Sequence, residues 1–277
     1  MNAILSKREL APKIFEFVVR APRLASKALP GQFVVVMASA EGERIPLTIA
    51  DFDRQQGTIT MVLMVVGTSS LKLSRLAVGQ KLHALIGPLG QPSEIEAYAR
   101  VVLVAGGVGT APVYPIARAF FERGVQVTII QGARTKELLF WADRMAKVCH
   151  QHIITTDDGS FGRKGLVTEP LKELLEQDAA HQIGCVYAIG PAPMMKFCAK
   201  TTQPFGVKTM VSLNTVMVDG TGMCGGCRVT VGGRVRFTCA DGPEFDGHQV
   251  DWNEVLFRQK VYVEHEACSL KLYAEQH

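Results

Sequence analysis

The chain has 277 residues, which at about 150 residues per domain predicts two domains. With 47% apolar and 20% charged residues it can bury a sizeable core, so a disordered chain is excluded. The formal net charge of +4 excludes a uniformly basic nucleic-acid footprint; residues 241–277 carry −5 and residues 1–240 carry +9.

The first nine residues hold no apolar stretch and no cleavage site, so no signal peptide is expected. The longest uncharged stretch, residues 101–117, falls short of the roughly 20 residues of a bilayer span, and Gly and Pro break it. The chain therefore reads as soluble and cytoplasmic, with no membrane span. Seven cysteines stand at 149, 185, 198, 224, 227, 239 and 268. An odd count in a long chain without a secretory signal argues against a disulfide framework. Three of them fall within 16 residues, the first sign of a metal.

Residues 1–97 predict an all-β barrel or sandwich. Short apolar runs at 15–19, 33–37 and 59–66 alternate with turn punctuation such as Pro30-Gly31 and Gly87-Pro88. Within this stretch Arg44-Ile45-Pro46-Leu47-Thr48 places a guanidinium and a hydroxyl on one short segment, both able to hold a phosphate. Gly67-Thr68-Ser69-Ser70 is a hydroxyl-rich turn that could open a helix and offer N–H groups to an anion. Each reads alone as ordinary local structure, the second as an N-cap.

From residue 98 strands and helices alternate, which predicts a parallel, doubly wound sheet. Residues 101–105 form a continuous apolar run, as in a strand buried on both faces. A helix is expected at 111–123, a strand at 125–130, a helix at 138–148 and a strand at 152–155. There follow a helix at 167–176 with Thr168 as N-cap, a strand at 185–189, a helix at 193–201 and a last strand at 207–213. Gly106-Gly107-Val108-Gly109-Thr110-Ala111-Pro112 follows the first of these strands, and Gly190-Pro191 another. Two such turns at strand carboxyl ends would line one crevice, where open α/β sheets bind ligands, although each alone is also an ordinary tight turn. No acid at the end of the 125–130 strand marks a ribose. Arg134 there could accept a 2′-phosphate but reads first as a solvated side chain, and Asp157-Asp158-Gly159 reads as a turn.

From residue 214 glycine density rises. Residues 219–227 contain four glycines and two cysteines, which no regular helix or strand tolerates. Val229–Val231 and residues 234–238 flank Gly232-Gly233 as a hairpin. The spacing Asp219-x4-Cys224-x2-Cys227-x11-Cys239 matches the C-x4-C-x2-C…C pattern of plant-type [2Fe-2S] proteins, with Asp in the first ligand place. A carboxylate can ligate iron. Zinc is the rival, but it usually takes two well-separated pairs. The fourth ligand stays open on these grounds: Asp219 has the spacing, Cys198 or Cys268 would need a favourable fold, and an Asp in such a loop is often a turn residue.

In order, these segments resemble the ferredoxin–NADP⁺ reductase superfamily: a flavin-binding β-barrel at 1–97, an NAD(P)-binding α/β domain at 98–213 and a [2Fe-2S] segment at 214–277. Residues 219–229 together with 241–248 resemble most the small (alpha) subunit family of NADH-dependent reduced ferredoxin:NADP⁺ oxidoreductase, also described as a sulfide dehydrogenase subunit. The electron-transfer subunit of dihydroorotate dehydrogenase is a near relative, with Cys where this chain has Asp219.

The resemblance implies an NAD(P)H-dependent flavin and iron–sulfur oxidoreductase subunit. Asp219 would join Cys224, Cys227 and Cys239 as cluster ligand. FAD would lie against Arg44, Pro46, Leu47 and Thr48, with Val62, Leu63 and Met64 beside the ring and Gly67, Ser69 and Ser70 at its pyrophosphate. NAD(H), in preference to NADP(H), would meet Gly106, Gly107, Gly109, Pro112, Gly190 and Pro191. Leu47 stands where plant-type reductases stack a Tyr on the flavin.

No acid–base residue is expected, because the cofactors carry the chemistry. The implied partner is a larger flavin and [4Fe-4S] subunit, through which the complex reaches ferredoxin by electron bifurcation. Two alternatives are the same subunit serving a dihydroorotate dehydrogenase, hydrogenase or formate dehydrogenase, and a zinc-stabilised nucleotide-binding regulator.

Overall fold

A computed structural model describes residues 2–276. Period-2 alternation organises the first unit. It holds β1 (Ile4–Ala11), β2 (Ile14–Arg20), the short helix α1 (Pro22–Ala25), β3 (Phe33–Met37), β4 (Ile45–Thr48), β5 (Asp51–Asp53), β6 (Thr58–Met64), helix α2 (Thr68–Arg75) and β7 (Ala84–Leu89). Two antiparallel sheets, β1-β2-β6-β5 and β4-β3-β7, close on one core. Phe17 and Val19 of β2, Val34 and Val36 of β3, and Ile59, Met61 and Leu63 of β6 fill it. The intervening residues of β3, Phe33 and Val35, are also buried, but on the other side of the strand, against Met217, Cys227 and Cys239. This β-barrel therefore has a second packed face, which carries the cysteine loop.

The second unit follows a 3.6-period and apolar-run alternation. Its elements are β8 (Arg100–Gly106), α3 (Thr110–Glu122), β9 (Gln126–Ala133), α4 (Ala142–Ala146), β10 (Gln151–Thr156), β11 (Arg163–Lys164), α5 (Thr168–Gln177), β12 (Ile183–Ile189), α6 (Ala192–Thr202) and β13 (Lys208–Ser212). Central β8 is buried on both faces. Val101, Leu103 and Ala105 pack on α3, while Val102 and Val104 pack against α5 and α6. Each buried Val or Leu stabilises by about 1.5–3 kcal/mol, so β8 is the strand least tolerant of polar replacement. Strand order reverses between β8 and β12, because β9, β10 and β11 lie on one side of β8 and β12 and β13 on the other.

The chain ends with the hairpin β14 (Arg228–Val231) and β15 (Arg234–Phe237), then β16 (Glu244–Asp246), α7 (Trp252–Arg258) and α8 (Val263–Gln276). β16 runs antiparallel beside β13, so the segment after residue 213 extends the nucleotide sheet as its edge. Helix α7 is capped by Asp251, whose carboxylate accepts the N–H groups of Asn253 and Glu254. Helix α8 returns to the barrel: Ser269 and Thr68 share a hydrogen bond of 3.0 Å, and the Lys72 and Arg75 cations lie over the Tyr273 ring.

Three expectations change. The helix expected at 138–148 shrinks to α4, because Leu139 is extended and Trp141 takes a left-handed φ of 58°. Thr168 is the first helical residue, and Val167 holds the cap position. The strand at 207–213 is not the sheet's last, since β16 joins beyond it. No helix among the described residues is long and apolar enough to cross a membrane.

Candidate functional site

The cysteine loop is built by glycine and by one carboxylate. Gly220, Gly222 and Gly225 have φ of 76°, 87° and 64°, a region costly for residues with a Cβ. A Cβ on Gly220 would also stand 2.9 Å from both Leu89 and Val35, so this glycine lets the loop lie flat on β3 and β7. Asp219 Oδ1 accepts the Thr221 N–H and its Oδ2 the Cys224 N–H, both at 2.8 Å. These amide bonds hold its carboxyl below the usual range, so it is ionised.

Cys227 and Cys239 are buried with their sulfurs 3.1 Å apart, whereas Cys224 is exposed. Backbone N–H groups point at sulfur: Gly226 at Cys224 (3.4 Å) and Cys239 at Cys227 (3.5 Å). Burial, then the neighbouring Cys227 thiol, pushes the Cys239 thiol up to about 12. A metal's charge would hold Cys239 as a thiolate at neutral pH.

Among the described residues no three metal-ligating side chains yet converge on one point. The fit to an iron–sulfur core is chemical: two apolar-shielded thiols, a third at the surface, an anionic carboxylate on the same loop and amides aimed at sulfur. Of the other cysteines, Cys198 is fully buried in the α6 core and Cys268 is exposed on α8. Neither lies in the loop.

The residues expected at the flavin lie on β4, β6 and the start of α2. Arg44 is exposed at the start of β4, and the neighbouring Glu43 accepts a 2.9 Å hydrogen bond from Ser69 at the start of α2. Ser70 is spent locally: its Oγ accepts the Val66 and Gly67 N–H groups and donates to the Gly67 carbonyl. Gly67 has open space where a side chain would stand. Leu47 packs toward the barrel core with Ile45, opposite Val34. Pro46 and Thr48 pair with Val35 and Phe33, the β3 residues that face the cysteines. Leu63 points into the barrel core and Val62 into a core shared with Ala111, Phe140 and Trp141. Met64 and Val66 are exposed apolar side chains beside Gly67, a surface suited to cover by a flat ring.

The two glycine turns meet. A Cβ on Gly190 would stand 3.0 Å from the Gly106 Cα, and one on Gly109 would collide with the Ile189 carbonyl. Gly107 (φ 54°) faces open space. Pro112 lies in the first turn of α3, where its missing N–H costs nothing, and Pro191 caps α6. These turns sit at the carboxyl ends of β8 and β12, where the strand order reverses, and can hold a pyrophosphate on backbone N–H groups. The Gly107–Gly109 turn also touches β6 of the barrel. Arg134 is exposed, and Asp158 accepts from Ser160 as a turn residue.

A polar network between barrel and sheet had no signal in the sequence. Glu16 on β2 and Asp51 on β5 face Arg118 on α3 and Arg144 on α4, at sequence separations of 67 and 93 residues for Asp51.

Comparison with known proteins agrees with this geometry. The iron–sulfur cluster-binding domain family of dihydroorotate dehydrogenase B matches residues 214–251, and the oxidoreductase NAD-binding domain family matches residues 103–200. A Thermotoga maritima homologue of the dihydroorotate dehydrogenase B (NAD⁺) electron-transfer subunit is 45% identical over 273 residues, 99% of this chain and 95% of its own. The Bacillus caldolyticus electron-transfer subunit is 32% identical over 257 residues, 89% of this chain and 96% of its own. A solved structure of NADH-dependent reduced ferredoxin–NADP oxidoreductase, described for flavin-based electron bifurcation, superposes with a TM-score of 0.92. It is 45% identical and covers 99% of this chain and 98% of its own. Phthalate dioxygenase reductase shares the fold at 18% identity, with a TM-score of 0.58 over 83% of this chain and 85% of its own.

Proposed function

The chain belongs to the family of dihydroorotate dehydrogenase B electron-transfer subunits and their homologues, and from that premise we propose that it is the small subunit of an electron-bifurcating ferredoxin–NADP⁺ oxidoreductase. It is an oxidoreductase subunit of the ferredoxin-reductase fold whose cofactors are FAD, a [2Fe-2S] cluster and NAD(H). When bound, NAD(H) and FAD exchange a hydride, and FAD and the cluster exchange single electrons. The observation that carries the proposal is the 0.92 superposition at 45% identity over nearly the whole of both chains.

The chain's own residues bind and orient. Gly106, Gly107, Gly109 and Gly190 bring two backbones together under a dinucleotide, with Pro112 and Pro191 setting the two helix starts. Arg44 and Thr48, with the α2 N-terminus at Gly67, Ser69 and Ser70, hold the FAD phosphates, and Met64 covers its ring. Pro46 and Leu47 shape the strand, while Val62 and Leu63 place it. Cys224, Cys227 and Cys239 ligate the cluster with Asp219 as fourth ligand, since each Asp219 oxygen keeps a lone pair beyond its amide bond. We divide the chain into 1–97, 98–213 and 214–277, a reading supported by the separate sheets of the first two stretches, with β16 joining the nucleotide sheet.

Exposed apolar side chains lie on and beside the cysteine loop: Met223 (88% exposed), Val216 and Val218. An apolar patch beside an exposed ligand suits a partner that takes electrons there. That partner is a larger subunit carrying a second flavin and [4Fe-4S] clusters, which serves ferredoxin in the cytoplasm. A dihydroorotate dehydrogenase partner is the second reading, favoured by the family match at residues 214–251.

Anaerobic co-purification separates the two. The expected complex contains a flavin and [4Fe-4S] subunit and reduces ferredoxin and NAD⁺ together from NADPH; a dihydroorotate-oxidising partner would overturn the proposal. Asp219→Cys is expected to alter the cluster's EPR signal and potential. An unchanged signal and potential would rule out Asp219 as ligand.

A further inference from the structure

Five charged or polar side chains bind the barrel to the nucleotide unit. Asp51 accepts from both of its oxygens: Arg118 Nη1 on Oδ1 and Arg144 Nη2 on Oδ2, each at 2.5 Å. Glu16, only 4% exposed, accepts the Trp141 indole N–H at 3.0 Å, pairs with Arg8 at 2.7 Å and lies 3.6 Å from Arg144. Arg144 stacks on the Trp141 and Tyr114 rings, and Arg118 on Phe52 and Tyr114. Trp141 holds its left-handed φ within this packing, a conformation that costs energy and persists only where its surroundings enforce it.

The network joins elements next to both proposed binding sites: α3, which carries Arg118, and β2 and β5, which both pair with β6. Arg118 lies on α3, the helix that begins at the Gly107–Gly109 turn, about 12 Å from its start. Asp51 pairs in register with Thr60 on β6, two residues before Val62. Val62 and Ala111 share the small core beneath the network. An apolar core of this kind tolerates sliding, whereas planar guanidinium groups on two fixed carboxylates specify one angle.

We propose that Asp51, Glu16, Arg118, Arg144 and Trp141 are positioning residues for hydride transfer. They fix the angle between the nucleotide unit and the barrel, and with it the approach of nicotinamide to flavin. This rests on the reading that NAD(H) binds the glycine turns and FAD lies along β6. Misplacement of reacting groups by about 1 Å can cost on the order of 100-fold in rate.

The test uses the full chain with FAD and its partner, and Asp51→Asn, which removes one charge at nearly constant shape. At saturating NADH the flavin-reduction rate is expected to fall 10-fold or more, on the scale of that misplacement cost. FAD content and the half-saturating NADH concentration are expected to stay at the wild-type values. The nicotinamide–flavin charge-transfer band weakens, and solution scattering of the FAD-loaded chain without NADH broadens. Asp51→Glu restores part of the rate, and Trp141→Phe, which removes the N–H to Glu16 and narrows the ring under Arg144, gives a smaller loss. Should Asp51→Asn fail to fold, Arg118→Lys, which keeps charge but not the guanidinium fork, takes its place. An unchanged saturating rate overturns the proposal, as does a slower rate with wild-type charge-transfer and scattering. If the wild-type flavin is itself not reduced by NADH, the underlying functional reading fails and the proposal with it.

Discussion

Asp219 has two tasks. Its carboxylate closes the turn through the Thr221 and Cys224 amides, and it carries a negative charge on the same loop as Cys224 and Cys227. Its spacing was legible in the sequence, whereas its turn bonds appear only once the loop is folded. Glu244 left no such trace. Burial, with a smaller push from Glu94, raises its carboxyl from an ordinary 4.5 to about 7, against the Ser93 hydroxyl that donates to it at 2.7 Å. A carboxyl whose folded pKa is raised stays protonated in the folded state while the unfolded chain ionises. Stability therefore falls as pH rises from about 4.5 through about 7. Glu244→Gln is expected to raise the melting temperature relative to wild type at pH 8, with little difference at pH 4.5; thermal melts across this range check it. Gln131, 1% exposed, donates to the Phe140 carbonyl and to Thr110, and its amide oxygen meets His152 Nε2. Burial lowers the His152 pKa, so the ring is neutral and its Nε2–H is the donor. Gln131→Ala is expected to cost about 1–3 kcal/mol in urea unfolding, because it orphans buried partners.

Among the elements, the glycine turns were the most legible, because a strand followed by three glycines in four residues has few alternatives. Their contact was not. Gly109 lies against the Ile189 carbonyl, 80 residues away in sequence, so Gly109→Ala must push two strand ends apart. Overpacking of this kind costs about 1–3 kcal/mol, and NADH binding by fluorescence titration is expected to weaken with it. Helix α7 was not among the helices expected from the sequence. Asp251→Ala removes two capping bonds and is expected to lower stability by about 0.5–2 kcal/mol in the same unfolding assay. The helix at 138–148 was overread because its apolar spacing is helical, while tertiary contacts pull Trp141 into the left-handed region. Local propensity lost there to the packing of one indole.

Across the whole molecule, the cysteine loop is not an appendage. It rests on the outer face of β3, and its continuation supplies the edge strand β16. Removing iron with a chelator is expected to expose residues 219–227 to proteolysis while the nucleotide sheet keeps its circular dichroism, because the sheet's cores include Val229 and Val231 but none of the three clustered cysteines. The sequence by itself determined the order of barrel, alternating sheet and cysteine segment, the Asp219–Cys224–Cys227–Cys239 spacing and the two glycine turns. Those signals are local: apolar period, glycine density and residue spacing all lie within one or two elements. Only the tertiary structure decided that β3 serves two cores, that Leu47 faces inward, that α8 folds back on α2 and that Asp51 and Glu16 join the barrel to the nucleotide unit. These contacts link residues tens to hundreds of positions apart, and a charge or methyl group carries no local mark of the partner it will meet.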